Sequence, residues 1–120
     1  MAKILLVDDD PIIQKIITAQ LKRWQHEVIT AGSGTMAVKL ANDIMPDIIL
    51  MDMRLPGMDG SEATAQIKAN IATTHIPIVA QTSANSTSEH QELYDAGCSV
   101  ILVKPVQLAE LQAILDELLP

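Results

Sequence analysis

The sequence predicts an α/β domain of three layers, in which helices cover both faces of one doubly wound, five-stranded parallel sheet. Two observations support this fold class. Five short aliphatic runs alternate with five amphipathic stretches along the 120 residues, and this alternation is typical of repeated βα units. The aliphatic runs are continuous rather than alternating in polarity, as in strands that are buried on both faces. Parallel strands joined by right-handed helical crossovers give an open sheet with helices on both faces.

Each aliphatic run marks one strand of the expected sheet. From the N-terminus, we expect the strands at Ile4–Val7, Val28–Ala31, Ile48–Met51, Ile78–Ala80 and Val100–Val103. In an open sheet of this kind, functional side chains collect where the carboxyl ends of the strands emerge. The residues that directly follow the five runs are therefore the first candidates for a functional site.

The first two helices are predicted at Pro11–Gln25 and Ser33–Asn42. Asp10 is suited to be the N-cap of the first helix, and Pro11 suits the first helical position because its missing N–H has no partner there. The second helix follows a Gly-Ser-Gly turn at residues 32–34. One face of the first helix carries four apolar side chains that we expect to reach the core: Ile13, Ile17, Leu21 and Trp24.

The third and fourth helices begin with polar residues in a spacing typical of helix caps. The third is predicted at Ser61–Asn70 after Asp59, with Glu62 three residues beyond that aspartate. The fourth is predicted at Ser86–Asp95, where Ser86 and Glu89 match a capping box. It ends before a glycine at position 97, a residue type that favours helix termination.

The fifth helix is predicted at Gln107–Leu119 from an apolar stripe with spacings of three and four residues. The stripe consists of Leu108, Leu111, Leu115 and Leu118. We expect it to be mainly core, and any leucine left exposed beside the fifth strand to belong to a partner surface.

Composition limits the classes of function. A mass of 13.0 kDa and a hydrophobic fraction of 48% predict one domain over residues 1–120 with a substantial core. The net charge of −7 argues against a nucleic-acid or anionic-membrane surface. The single cysteine, Cys98, excludes an internal disulfide. No apolar run is long enough to span a bilayer, and no signal-peptide pattern opens the chain. We expect a cytoplasmic protein without membrane insertion.

Four of the five predicted strands end in residues that carry chemistry. The first strand ends in the aspartates at positions 8, 9 and 10, and the third ends in Asp52. The fourth ends in Thr82, followed by a serine, and the fifth ends in Lys104, followed by a proline. Because the carboxyl ends of parallel strands lie at one edge of the sheet, these carboxylates, the hydroxyl and the ammonium should meet there.

The three aspartates of the first strand end are expected to have unequal roles. Asp10 is sufficiently explained as a helix cap, but one cap is enough, so Asp8 and Asp9 need another explanation. Carboxylates that crowd together raise one another's pKa unless a cation lies between them. A hard divalent ion, Mg²⁺ in particular, binds through one or two carboxylates together with water and phosphate oxygens. The pair therefore predicts a Mg²⁺ site.

The combination of groups predicts phosphoryl chemistry at this site. An ammonium and a hydroxyl beside a divalent ion are suited to the charge that develops on phosphoryl oxygens, and a carboxylate can itself accept the phosphoryl group. Asp52 is the expected acceptor because it stands alone on the central strand, whereas Asp8 and Asp9 come as a pair.

The chain resembles the receiver domain of two-component response regulators over its whole length, in the manner of a single-domain chemotaxis regulator. Four stretches carry the resemblance: ILLVDDDP, DIILMDMRLPGMDG, PIVAQTSA and VILVKPV. The resemblance implies the flavodoxin-like strand order 2-1-3-4-5, for which the chemotaxis regulator of this family is itself a standard example.

The resemblance also implies a role for each candidate residue. Asp52 would take a phosphoryl group from a phosphohistidine of a sensor histidine kinase or a histidine phosphotransfer protein. Asp8, Asp9, Asp52 and the backbone carbonyl of Arg54 would surround the Mg²⁺ ion. Lys104, whose bond to the following proline is often cis in this family, would pair with the phosphoryl group, and Thr82 would swing towards it.

The implied output is a change in the binding surface formed by the fourth helix, the fifth strand and the fifth helix. This surface would select a downstream protein effector, with no independent substrate turnover and no direct nucleic-acid contact. One position departs from the family pattern. Receiver domains often carry a rotating aromatic residue three positions before the lysine, where this chain has Ile101. A β-branched side chain is stiff and has no hydroxyl, so a different or weaker switch is expected.

Three other functions compete with this interpretation. Residues 32–37 match the dinucleotide fingerprint G-x-G-x-x-A, but they follow the one strand end that lacks chemistry. An aspartate-nucleophile phosphohydrolase resembling the haloacid dehalogenase family would need a second aspartate at position 54, where arginine stands. The third alternative is a docking module that acts without phosphorylation. Such a module would not require the five site residues that this chain retains, which are Asp8, Asp9, Asp52, Thr82 and Lys104.

Overall fold

A computed structural model of the chain describes residues 1–119 and contains one sheet of five parallel strands. The strands lie in the order β2-β1-β3-β4-β5, which confirms the expected class and order. Their bounds are Lys3–Val7 (β1), Glu27–Ala31 (β2), Ile48–Asp52 (β3), Ile78–Thr82 (β4) and Val100–Val103 (β5). The first and third strands, which occupy the middle of the sheet with β4, are buried along nearly their whole length.

In the described residues, four helices connect successive strands and a fifth follows β5, and together they cover both faces of the sheet. They span Pro11–Arg23 (α1), Gly34–Ile44 (α2), Gly60–Ala69 (α3), Thr87–Ala96 (α4) and Leu108–Leu118 (α5). Helices α1 and α5 pack on one face, and α2, α3 and α4 pack on the other. None of these helices, within the described residues, has the length and apolar character required to cross a bilayer.

The core consists of two apolar layers separated by the sheet. Residues of opposite parity in each strand supply the two layers: Ile4 and Leu6 point towards α1 and α5, whereas Leu5 and Val7 point towards α2 and α3. Burial of these aliphatic side chains is the main favourable contribution to folding, at roughly 25 cal/mol for each Å² of apolar surface removed from water. The result is a rigid sheet whose carboxyl edge supports the loops that carry the candidate site.

Helix caps occur at the predicted residues. The carboxylate of Asp10 accepts a hydrogen bond from the backbone N–H of Ile12 at 2.9 Å, and that of Asp59 accepts one from Glu62 at 2.9 Å. The Ser86 hydroxyl accepts the Glu89 N–H at 3.2 Å and donates to the Glu89 carboxylate at 2.6 Å. Each cap satisfies a helical N–H that would otherwise lack an intrahelical partner.

Some sequence-based expectations for the helices need correction. The first helix ends at Arg23 rather than at Gln25, because Gln25 adopts a left-handed conformation with φ of 69°. Ile13 and Leu108, expected in the core, are 38% and 43% exposed. Both line a cleft at the carboxyl edge of the sheet. Helical periodicity placed them on the same face as buried residues, but at this position the face borders the cleft and not the core. The edge strand β2 is also only partly covered, with Ala31 as its one buried residue in the described chain.

Candidate functional site

Three polar side chains form a row across the carboxyl edge of the sheet. Asp52 in β3 is paired in register with Gln81 in β4, and Asp8 directly follows Val7, which is paired with Met51. In a parallel sheet, side chains in register point to the same face. Asp8 and Asp52 are 2% and 3% exposed. Two carboxylates are therefore buried side by side at the predicted strand ends.

Asp9 completes an acidic cluster with Asp8 and Asp52. One carboxylate oxygen from each of the three residues lies within 4.8 Å of the other two. Asp9 is exposed, whereas its two neighbours are buried. Among residues 1–119, the buried Oδ2 atom of Asp8 has no hydrogen-bond partner. Three oxygen donors at this spacing, one of them unpartnered and sequestered from water, fit a hard divalent cation such as Mg²⁺.

The electrostatics of Asp8 are consistent with a cation site. Burial raises the pKa of the Asp8 carboxyl above its ordinary value of 3.8, and the negative charges of Asp52 and Asp9 raise that pKa further. The Asp10 N–H, which donates to Oδ1 of Asp8 at 2.9 Å, and the Lys104 ammonium act in the opposite direction. The net rise means that ionisation of Asp8 costs more than ionisation of an exposed aspartate, and a bound cation would offset that cost.

Lys104 supplies one fixed positive charge to the cluster. Its Nζ atom donates to Oδ1 of Asp52 at 2.9 Å, and the backbone N–H of Arg54 donates to the same oxygen at 3.1 Å. The peptide bond between Lys104 and Pro105 is cis, and the Lys104 N–H donates to the Thr82 carbonyl at 2.7 Å. The ends of three neighbouring strands are thus joined around the Asp52 carboxylate.

Thr82 lies on the other side of this ion pair. Its hydroxyl accepts a hydrogen bond from the Ala84 N–H at 3.1 Å. A cleft of about 510 Å³ lies between the strand ends and helix α4 and is lined by Asp52, Lys104 and Thr82 together with Arg54. The hydroxyl and the ammonium therefore face a common space next to the Asp52 carboxylate.

A second cleft of about 760 Å³ opens on the α1 side of Asp52. Its polar end contains the acidic cluster, and its walls are aliphatic side chains that include Ile13, Ile16 and Leu108. The two clefts share Asp52, Arg54 and Lys104. The Asp52 carboxylate is thus reached from both sides of the ion pair.

Two polar residues of this edge were not predicted from the sequence. The side-chain amide of Gln14 donates to the Asp8 carbonyl at 2.6 Å and to the Ala31 carbonyl at 3.1 Å, which fixes the ends of β1 and β2. Gln81 is 1% exposed, and neither polar atom of its amide has a partner within the described chain. The position of Gln81 beside Asp52 could have been predicted from strand alternation. No sequence pattern predicts that the Gln14 side chain bonds to the carbonyls of Asp8 and Ala31.

Two glycines at the starts of helices α3 and α2 have packing explanations. A Cβ atom on Gly60 would collide with the Asp52 carbonyl and lie 2.6 Å from the Met53 Cα atom. A Cβ atom on Gly34 would lie 2.6 Å from the carbonyl oxygen of Met58. The glycine at position 34 therefore permits close packing of helix α2 against the loop before α3. This contact explains why a glycine stands at position 34 of the G-x-G-x-x-A pattern, and the explanation does not require nucleotide binding.

Comparisons with known proteins agree with this geometry. Residues 4–116 match the family model described as the response regulator receiver domain. The chain is 36% identical over 106 residues to protein PilH of Pseudomonas aeruginosa, and the match covers 88% of each chain. It is also 36% identical to the response regulator PleD of Caulobacter vibrioides, of which it spans only 23%.

Solved structures with the same fold include two informative neighbours. The chemotaxis protein CheY4 of Vibrio cholerae superimposes with a TM-score of 0.92 at 31% identity and 99% coverage of both chains. The receiver domain of the sensor histidine kinase PA1611 from Pseudomonas aeruginosa gives a TM-score of 0.89 at 38% identity, with 97% of this chain and 95% of that chain covered. The PA1611 domain has a magnesium ion coordinated in its active-site cleft.

Proposed function

Because this chain belongs to the response regulator receiver domain family of two-component signalling, we propose that it is a switch controlled by phosphorylation of Asp52. The observation that carries the proposal is the position of this buried carboxylate, which lies 2.9 Å from the Lys104 ammonium and within one acidic cluster with Asp8 and Asp9. The switch comprises the whole of residues 1–120 as one receiver domain.

The proposed reaction is a phosphoryl transfer from histidine to aspartate. An oxygen of the Asp52 carboxylate attacks the phosphorus of a phosphohistidine, the new O–P bond forms, and the N–P bond breaks with its electron pair remaining on the imidazole. Lys104 then pairs with the transferred group, and the Thr82 hydroxyl donates to one of its oxygens. The donor is a sensor histidine kinase or a histidine phosphotransfer protein.

Mg²⁺ is the cofactor of this proposal. Asp8, Asp9 and Asp52 would hold the ion with the backbone carbonyl of Arg54, and the unpartnered Asp8 oxygen supports this assignment. When bound, Mg²⁺ neutralises negative charge on the carboxylates and the phosphoryl oxygens. The protein residues orient the Asp52 carboxylate: Lys104 and the Arg54 N–H both donate to its Oδ1 atom.

The output of the switch is a changed surface on α4, β5 and α5. This surface includes exposed apolar side chains, among them Tyr94 at 47% and Val103 at 38% exposure. Such side chains suit a downstream protein effector rather than nucleic acid, which the net charge of −7 also disfavours. We further propose a cytoplasmic location, because a single buried thiol at Cys98 is compatible with a reducing compartment.

A phosphohydrolase is the alternative that shares the nucleophile. Arg54 occupies the position at which such enzymes need a second aspartate, and its side chain provides no general acid for the leaving group. Incubation with p-nitrophenyl phosphate and Mg²⁺ tests this difference. We expect no continuous release of nitrophenol, whereas sustained release that disappears in Asp52→Asn would replace the switch by an enzyme. A docking module would show neither turnover nor a covalent adduct with acetyl phosphate.

A further inference from the structure

We propose that His90 is a positioning residue that couples Thr82 to helix α4 through the backbone of Ala84. This inference rests on the proposed function, because it concerns how a phosphoryl group on Asp52 is communicated to the output surface. It assigns to a histidine the task for which many receiver domains use an aromatic residue at the position of Ile101.

Ala84 takes part in two hydrogen bonds, one through its N–H and one through its carbonyl. The N–H of Ala84 donates to the Thr82 hydroxyl at 3.1 Å, and the Ala84 carbonyl lies 2.8 Å from Nε2 of His90. A carbonyl oxygen only accepts hydrogen bonds, so Nε2 of His90 is the donor. The Thr82 side chain is therefore linked to a side chain of α4 by one intervening residue.

Helix α4 is the element most dependent on such a link. It contains no buried side chain, whereas each of the other four helices in the described chain buries at least two. Leu93 is the α4 side chain that packs against the core, and it is only partly buried. With little apolar burial to fix its position, α4 responds to the loss of a single tether more than a well-buried helix does.

The proposed coupling follows from the direction of each hydrogen bond. When the Thr82 hydroxyl turns to donate to a phosphoryl oxygen on Asp52, its oxygen moves away from the Ala84 N–H. The peptide unit that carries the Ala84 N–H loses that anchor, so the backbone dihedral angles of Ala84 can change and turn the next peptide unit, which carries the Ala84 carbonyl. The Ala84 carbonyl then shifts relative to His90. Because Nε2 of His90 donates to this carbonyl, helix α4 shifts as well. The Ile101 side chain packs, half-buried, against the same core layer as Leu93 but has no hydrogen-bonding group, so it provides no equivalent connection.

The test compares substitutions that differ in their ability to donate a hydrogen bond. His90→Gln retains an N–H donor, and His90→Leu removes it at similar volume. Gln91→Leu is the matched control, because Gln91 is exposed on the same helix and bonds only to Asp95 within the described residues. Each protein is treated with Mg²⁺ and excess acetyl phosphate, and phosphoryl uptake is measured by intact mass. Amide chemical shifts of Ala84 and of residues 87–96 are recorded before and during treatment.

In the wild-type protein and in Gln91→Leu we expect phosphorylation to shift both the Ala84 amide and the α4 amides. In His90→Leu the Ala84 shift should persist, while the α4 shifts fall to less than half of their wild-type size. His90→Gln should restore them. Undiminished α4 shifts in His90→Leu, at equal phosphoryl uptake, would overturn the coupling alone. Absence of any adduct in the wild-type protein would overturn the proposed function and the coupling together.

A wild-type measurement keeps the test independent of how well the variants fold. The ¹⁵N shift of His90 Nε2 reports the hydrogen bond to Ala84 directly. We expect this signal to move on phosphorylation of the unmodified chain. A signal that stays constant while the α4 amides move would show that α4 responds by another route, and the inference would be wrong.

Discussion

The Nζ atom of Lys104 lies 2.9 Å from Oδ1 of Asp52, so the end of β5 is joined to the end of β3 across the intervening strand β4. The Lys104 side chain is 35% exposed and that of Asp52 only 4%. The ion pair therefore places a partly solvated cation at the entrance to a buried anion. In the proposed switch, this cation competes with Mg²⁺ before phosphorylation and pairs with the phosphoryl group afterwards.

Replacement of Lys104 should strengthen Mg²⁺ binding while weakening the switch. In Lys104→Met, loss of one positive charge near the acidic cluster removes a repulsion on the order of 1 kcal/mol, so Mg²⁺ affinity should rise roughly fivefold. The phosphorylation-dependent shifts of α4 should disappear. Titration calorimetry with Mg²⁺ measures the first effect, and Lys39→Met, on the exposed face of α2, is the control. Weaker Mg²⁺ binding in Lys104→Met would contradict the assigned competition.

Asp8 and Asp9 should differ in their effect on stability although both are assigned to Mg²⁺. Asp8 is buried with an unpartnered oxygen among the described residues and a raised pKa, whereas Asp9 is exposed. In EDTA, Asp8→Asn should therefore increase the free energy of unfolding by about 1–3 kcal/mol, and Asp9→Asn should leave it nearly unchanged. Both variants should bind Mg²⁺ more weakly. Urea denaturation with and without Mg²⁺ gives the free energy of unfolding of each variant and of the wild-type protein. Equal stabilities of Asp8→Asn and Asp9→Asn in EDTA would refute the assigned burial cost of Asp8.

His26 should make the stability of the domain depend on pH. Its Nδ1 atom accepts the Ala2 N–H at 3.1 Å, which requires a neutral ring. Burial, and then the charge of the N-terminus, lower the pKa of His26 below 6.5, with Asp116 opposing. A lowered pKa means that the unfolded chain binds the proton more readily, so stability is fully present above pH 6.5 and is lost as the pH falls through that value towards the folded-state pKa.

In His26→Gln this pH dependence should flatten, because the glutamine carbonyl accepts the Ala2 N–H without titrating. The exposed His75 is the matched control, and His75→Gln should keep the wild-type profile. Unfolding free energies from denaturant titrations at several pH values between 5 and 8 measure the effect. A wild-type curve that shows no decline on acidification through this range, or an unchanged curve in His26→Gln, would exclude the assigned role.

Gly60 should resist substitution because of its close contact with the backbone of Asp52 and Met53. A Cβ atom there collides with the backbone of Asp52 and Met53, whereas nothing lies within 4 Å of a Cβ atom on Gly32. Gly60→Ala should lower the free energy of unfolding by more than about 1 kcal/mol despite the better helix propensity of alanine. Gly32→Ala should change it little. A Gly60→Ala protein with wild-type stability and phosphoryl uptake would show that the segment adapts freely.

The strand ends were the informative part of the sequence. Asp8, Asp52, Thr82 and Lys104 were predicted to meet because parallel strands of similar length end at one edge, and the structure brings them together. Strand alternation would also have placed Gln81 beside Asp52. A few short stretches of the sequence were therefore enough to predict the fold class and most residues of the candidate site.

Other features were beyond the reach of sequence patterns. Gln14 and His90 act through hydrogen bonds to backbone carbonyls, and the direction of such side chains depends on rotamers and loop geometry. Ile13 was predicted in the core and is 38% exposed, since periodicity shows which residues share a helical face and not where that face leaves the sheet. Capping residues were predictable because their hydrogen bonds are local.

The most direct test of the central claim is the intact mass of the protein after incubation with acetyl phosphate and Mg²⁺. The proposed switch predicts one added phosphoryl group in the wild-type chain, little addition in EDTA, and none in Asp52→Asn. Failure of the wild-type protein to gain mass, or an adduct of the same size in Asp52→Asn, would contradict phosphorylation of Asp52.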